Sequence, residues 1–192
     1  MVTASESVVT RERFDSSPSW EAYLDALEKG RARYEENYEQ FQLSAEDAAF
    51  FKELASKPDG PAKVLIITEF WCPDCFREAP VMVKIAEAAG MEMKVVARDE
   101  NLDIMSEFLR DGEFQSIPVF VFYTRDHKYL GHWIERSQLA YSETHQMRDA
   151  MEGKSKEEQK EAYIAFQKGP TWAGWRDETV KELKKLLSDA TV

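Results

Sequence analysis

The chain has 192 residues, 43% of them hydrophobic, and a formal net charge of −11. That length is enough for one well-packed core, so one large domain is expected rather than two. The charge argues against nucleic acid and anionic membrane surfaces as partners, and no stretch approaches the roughly 18 apolar residues of a membrane span.

Residues 1–14 read as a flexible tail. Met1–Thr10 is polar, without the basic and apolar regions of a signal peptide, so a cytoplasmic, reducing location is expected. From Pro18 the pattern turns helical: Trp20, Tyr23, Leu24 and Leu27 fall at i, i+3, i+4 and i+7. Tyr34, Tyr38 and Phe41 continue the stripe past Gly30, which breaks or bends it. Ser44 caps a further helix with Phe50, Phe51 and Leu54 on its apolar face, ended by the turn Lys57-Pro58-Asp59-Gly60-Pro61.

Strand and helix then alternate. Lys63–Phe70 reads as a buried strand, Ala79–Ala89 as a helix closed by Gly90, and Met93–Ala97 as a short strand. Leu102–Arg110 reads as a helix using Leu102, Met105, Phe108 and Leu109. Val119–Tyr123 and Tyr129–Trp133 are strands joined by the turn Arg125-Asp126-His127. The order β, α, β, α, β, β implies parallel pairing across the two crossovers and an antiparallel final hairpin. Residues 137–168 are charged and helical in spacing, with Met147, Met151, Tyr163, Ile164 and Phe166 inward. Gly169-Pro170 breaks that segment, and Trp175–Leu187 is a last amphipathic helix. The five Trp, seven Tyr and 11 Phe are expected to cover the core rather than to form a stacking surface.

Both cysteines of the chain lie in Trp71-Cys72-Pro73-Asp74-Cys75, between the apolar run Val64–Ile67 and a helical pattern. A dithiol so placed sits at a helix N-terminus, where unpaired backbone N–H groups stabilise a thiolate, the form that attacks disulfides. Cys72, nearer the helix start, is the expected nucleophile; Cys75, one turn further in, is the resolving thiol. Lowering a thiol pKa from about 8.5 to about 7 raises the thiolate fraction at pH 7 roughly 15-fold, but falling nucleophilicity leaves a gain of about 3-fold. Geometry must supply the rest. A zinc site is the rival reading. A tetrahedral centre needs two further ligands, and the only histidines are His127, His132 and His145, in separated positions. No metal is expected, and no cofactor beyond a redox-active Cys72–Cys75 disulfide.

Trp71 before the first cysteine, Pro80 five residues after the second, and Ser116-Ile117-Pro118 at the start of a later strand resemble the thioredoxin superfamily. Thr68-Glu69-Phe70-Trp71-Cys72-Pro73-Asp74, the run Arg98–Met105, Gly112 and Ser116-Ile117-Pro118 are similar to a bacterial thioredoxin-like subgroup. So is the lead-in with Tyr34, Glu36, Tyr38, Phe41 and Leu43-Ser44. Many members of that subgroup lack the second cysteine, which this chain keeps. The resemblance implies an α/β thioredoxin fold, a mixed sheet flanked by helices. Residues 15–190 then form a single domain: a helical extension (15–60), the core (61–136), a helical insertion (137–170) and a C-terminal helix (171–190). It also implies a cis Pro118 beside the dithiol. The backbone at Ile117 would pair with a substrate in a groove bordered by Trp71 and Gly131, with Pro73 and Asp74 completing the motif.

Two departures matter. The buried carboxylate that thioredoxins place six residues before the first cysteine is Ile66 here, which leaves Glu69 as the candidate proton carrier. Asp74 replaces part of the common Gly-Pro pair. At about 6 Å in high dielectric its charge opposes the thiolate by roughly 0.7 kcal/mol, about 0.5 pKa unit, less than the helix terminus supplies. The expected function is a cytoplasmic thiol–disulfide oxidoreductase acting on protein or small-molecule disulfides, fed by a thiol or reductase electron donor. The alternative is a redox-sensing or binding module of the same fold that turns nothing over. No heptad seam or symmetric patch is present, so a monomer is expected.

Overall fold

In the computed structural model, which describes residues 7–191, four helices precede the first strand: α1 (Arg11–Ser16), α2 (Trp20–Ala26), α3 (Arg31–Gln40) and α4 (Ala45–Ser56). Hydroxyl caps start three of them, with Thr10, Ser19 and Ser44 accepting the N–H groups of Arg13, Ala22 and Asp47. Gly30 takes φ +88° to open α3, and a Cβ there would lie 2.9 Å from the Phe70 carbonyl oxygen. Only glycine meets both demands.

The expected tail is corrected for residues 7–14. Val9 and Phe14 are buried, Phe14 packs edge-on against Tyr123 and His127, and Arg13 pairs with Asp103. Two apolar residues are too sparse to make a periodic signal, yet enough to anchor a short helix on a finished core. Residues 1–6 lie outside the described residues.

Strands β1 (Lys63–Thr68), β2 (Glu92–Ala97), β3 (Val119–Tyr123) and β4 (Tyr129–Ile134) form one sheet in the order β2-β1-β3-β4. Every residue of β1 is buried, as its unbroken apolar run requires of a strand covered on both faces. β2 pairs parallel to β1, while β3 pairs antiparallel to β1 and β4 antiparallel to β3. The parallel pairing expected across the second crossover is therefore corrected. Helix α6 spans only Leu102–Met105, about 6 Å, and cannot carry the chain back along the sheet. Beyond it the Phe108 N–H bonds the Met105 carbonyl in a tighter turn, and the chain reverses at Asp111 and Gly112, both at positive φ. The connection thus stays at the carboxyl end of β1, where Ile67 faces Val119, and β3 starts there. Leu102, expected inward, is exposed, and Phe108 is buried outside any helix.

Helix α5 (Pro73–Ala89) is buried without interruption from Cys75 to Val83. The sheet, α3, α4 and the last helix, α9 (Pro170–Ala190), all pack on it. Between β4 and α9 lie α7 (Gln138–Met151) and α8 (Lys156–Gln167), which close a second apolar cluster on Ala140, Trp172 and Trp175. Met147 and Phe166 pack against that cluster, but Ile164 is exposed, because α8 buries only part of one face. At the outer side of the sheet the Pro18 carbonyl accepts the Val95 N–H at 2.9 Å, so the N-terminal extension covers the β2 edge. No helix among the described residues is long and apolar enough to cross a membrane.

Candidate active site

β1 ends at Thr68, three residues turn, and Cys72 becomes the N-cap of α5 with Pro73 at its first helical position. A proline there loses no hydrogen bond, because that N–H has no partner inside the helix. Cys72 Sγ accepts the Cys75 N–H at 3.4 Å, and its thiol also reaches the Ile117 carbonyl oxygen at 3.5 Å. The Ile117–Pro118 peptide is cis. Cys72 is 6% exposed and Cys75 is fully buried.

The two sulfurs are driven apart in ionisation. A hydrogen bond from the Cys75 thiol, then the Cys75 backbone N–H, hold the Cys72 thiol below its ordinary range against the opposing effect of burial. Burial first, and the neighbouring Cys72 second, push the Cys75 thiol well up. The site therefore favours ionisation of Cys72 over Cys75.

Asp74 carries less weight than its bare charge suggests. Its carboxylate is shared between Arg77, at 2.7 Å, and Arg136. It still opposes the Cys72 thiolate, but less strongly than the hydrogen bonds from Cys75 favour it. Arg77 continues inward to Glu78, and both are buried, with the Arg77 guanidinium 4.7 Å from the Trp172 ring and 5.2 Å from Trp175. Arg136 also binds Glu135, whose carboxylate accepts the Tyr141 hydroxyl of α7. The insertion therefore reaches the rim of the dithiol.

Trp71 is 46% exposed and lies under the Arg98 guanidinium at 4.8 Å, beside the Ile117 segment that Arg98 also ties down through the Gln115 carbonyl. This is a surface ring and not core filler. Gly131 is elsewhere. It pairs with Phe122, and a Cβ on it would meet Leu186 of α9 at 3.3 Å. The residue across from Pro118 is Glu135, whose N–H donates to the Pro118 carbonyl at 2.7 Å. The assignment of Gly131 to the groove is therefore corrected: the register of the β3–β4 hairpin puts it about 13 Å along the sheet.

Glu69 is buried, but its side chain turns away from the sulfurs and accepts the Asp99 N–H at 2.8 Å. Burial raises its pKa. The Thr68 hydroxyl lies 2.9 Å from the Tyr34 hydroxyl, and Thr68 works against the rise that burial causes in the Cys75 pKa. Ile66, fully buried between Val95 and Phe120, has no part in proton chemistry. His127 stacks on Tyr123, His132 contacts Tyr129, and His145 sits on α7, so none of them joins the dithiol.

Tyr34, Thr68, Arg77, Glu78 and Arg136 were not singled out by sequence. Tyr34 read as one member of an apolar stripe. A signal for the buried ion pair was present, since Arg77-Glu78 falls directly between Phe76 and the apolar run Ala79–Val83.

A search of curated proteins finds none that match. Two crystal structures share the fold across nearly the whole chain. A protein of unknown function from Pseudomonas aeruginosa has a TM-score of 0.65 at 15% identity, covering 99% of each chain. An HIV epitope-scaffold has a TM-score of 0.62 at 15% identity, covering 93% of this chain and 96% of its own. The family model for thioredoxin matches residues 17–148, a span that contains the dithiol, the cis-proline segment and all four strands. With that match over more than half its length, the chain belongs to the thioredoxin family.

Proposed function

We propose that this protein is a thiol–disulfide oxidoreductase of the cytosol, acting on protein or small-molecule disulfides through Cys72 and Cys75. The observation that carries the reading is the asymmetry of the two sulfurs. One caps a helix, accepts a backbone N–H and is held low in pKa; the other is fully buried and held high. In the first step the Cys72 thiolate attacks a substrate disulfide, and one substrate sulfur leaves as thiolate. In the second, Cys75 attacks Cys72 in the mixed disulfide, gives up its proton, and releases the other substrate sulfur. An external thiol or a reductase returns Cys72–Cys75 to the dithiol.

The Ile117 backbone next to the cis proline, bordered by the exposed Trp71, supports substrate docking by strand addition. The pattern Thr68-Glu69-Phe70-Trp71-Cys72-Pro73-Asp74 with Arg98–Met105 and Ser116-Ile117-Pro118 supports placement in the bacterial subgroup. The test has two arms. Wild-type protein should turn over in an insulin reduction assay driven by dithiothreitol. Cys75→Ser incubated with cell extract should accumulate reducible adducts through Cys72. Stoichiometric oxidation without turnover would instead identify a redox sensor, and the absence of adducts would remove the two-step scheme.

A further inference from the structure

Two stretches of the sequence pattern, Thr68-Glu69-Phe70-Trp71 and the run that begins Arg98-Asp99, are far apart in the chain, and the dithiol chemistry makes no use of the second. We propose that Arg98 is a positioning residue for substrate docking, holding Trp71 and segment 115–117 as the two walls against which a peptide substrate lies. The inference rests on the dithiol chemistry proposed above.

The two stretches interlock residue by residue. The Arg98 N–H, just beyond the end of β2, donates to the Thr68 carbonyl at 3.1 Å. The Asp99 N–H donates to the buried Glu69 carboxylate at 2.8 Å. The Arg98 guanidinium then lies 4.8 Å from the centre of the Trp71 ring. A further contact crosses to the cis-proline segment: the same guanidinium donates to the Gln115 carbonyl at 3.3 Å, two residues before Ile117. Asp99 Oδ1 accepts from both Nε and Nη2 of Arg98, at 2.9 and 2.6 Å, which fixes the plane of the guanidinium. Trp71 is exposed and sits in a turn, where an unsupported ring has several rotamers open to it. A planar cation over its face, itself anchored at both ends, selects one.

A groove ordered before the substrate arrives lowers the entropic cost of binding. Arg98 orders both walls at once, yet its side-chain hydrogen bonds go to Asp99 and Gln115 and not to either sulfur. The contacts of Cys72 Sγ are the Cys75 N–H and the Ile117 carbonyl. Loss of the Arg98 side chain therefore weakens docking and spares the attack by Cys72. The consequence is selectivity. An extended peptide meets both walls, whereas a small disulfide needs only the sulfur. Glu69 has a defined part in this arrangement: its carboxylate anchors the loop under Arg98 by accepting the Asp99 N–H. That task needs an accepting oxygen and no titratable proton, so a neutral amide would serve it as well.

The experiment uses the full chain and two substrates: insulin, with dithiothreitol as reductant, and the uncharged small disulfide 2,2′-dithiodipyridine in stopped flow. Arg98→Ala should raise KM for insulin by about 5-fold or more with kcat little changed, while pyridine-2-thione release keeps its wild-type rate. Arg98→Lys retains a cation for the Trp71 ring and a donor for Gln115, and should restore part of KM. Glu69→Ala should raise KM in the same way and Glu69→Gln should restore it, whereas a proton carrier would be lost in both. If Arg98→Ala leaves the insulin KM unchanged, or slows both substrates alike, the proposal is wrong while the dithiol chemistry stands. The same holds if wild type releases two equivalents of pyridine-2-thione yet does not turn over insulin. If wild type neither turns over insulin nor releases the second equivalent, the dithiol reading itself fails and the proposal with it.

Discussion

The tetrad Cys72-Pro73-Asp74-Cys75 is held from two sides by additions to the thioredoxin core, and the two sides use opposite chemistry. The N-terminal extension comes to the Cys75 side with uncharged groups: Tyr34, hydrogen-bonded to Thr68 at the end of β1, and the aromatic rings of Trp20 and Tyr23 packed on it. The segment after β4 meets Asp74 with charges: Arg136, Glu135 and, through Trp172 and Trp175, the buried Arg77–Glu78 pair. The contrast follows from what each partner needs. In the proposed chemistry Cys75 stays protonated until it reacts, and a charge beside it would bias that state. Asp74 is a carboxylate near a thiolate, and its charge is tolerable there only because guanidinium groups share it.

Breaking the charged side should have the largest effect. Arg77→Met leaves Glu78 fully buried without its cation, and should lower the unfolding free energy by about 3–5 kcal/mol in a denaturant titration. Arg77→Met with Glu78→Leu removes both charges and should recover part of that loss. A single variant as stable as wild type would mean that water, and not Arg77, satisfies Glu78.

A smaller effect separates the two sides. Asp74→Asn removes a negative charge that raises the Cys72 pKa and leaves Arg136 in place, so the Cys72 pKa should fall. Alkylation by iodoacetamide, followed against pH below the thiol range, should speed up by about 3-fold or less. Tyr34→Phe should leave the same curve where it is, because that hydroxyl bonds Thr68 and the Glu69 carbonyl and not Cys72. If Tyr34→Phe moves the curve and Asp74→Asn does not, the division of labour between the two sides is reversed.

The smallest effect concerns the sheet between them. Gly131→Ala asks Leu186 to yield by a few tenths of an ångström, a change of about 1 kcal/mol or less in stability. Cys72 alkylation and insulin reduction should both be unchanged. A loss of activity would return Gly131 to the groove.

Much of the architecture is legible residue by residue. The run Val64–Ile67 marks the central strand because only a strand covered on both faces tolerates it. Ser44 and Gly90 mark helix ends through their capping chemistry, and both cap as read, Gly90 at φ +68°. The dithiol announces itself through spacing and through the proline at the start of α5. What stays illegible is whatever depends on partners far apart in the chain. Tyr34 is in an apolar stripe like its neighbours until Thr68, 34 residues on, meets its hydroxyl. Arg136 looks like an ordinary charge after a strand until Asp74 is found 62 residues before it.

The sequence by itself determined most of the elements, the caps at Ser44 and Gly90 and the candidate sulfur chemistry, because hydrophobic period, turn residues and helix-terminal spacing are local properties that act over a few residues. Only the tertiary structure decided that β3 runs antiparallel beside β1, that Gly131 faces α9 and Glu135 faces Pro118, and that the Tyr34 hydroxyl meets Thr68. Those outcomes turn on the length of a four-residue helix, the register of a hairpin and the seating of one ring, each settled by packing between segments that share no local pattern.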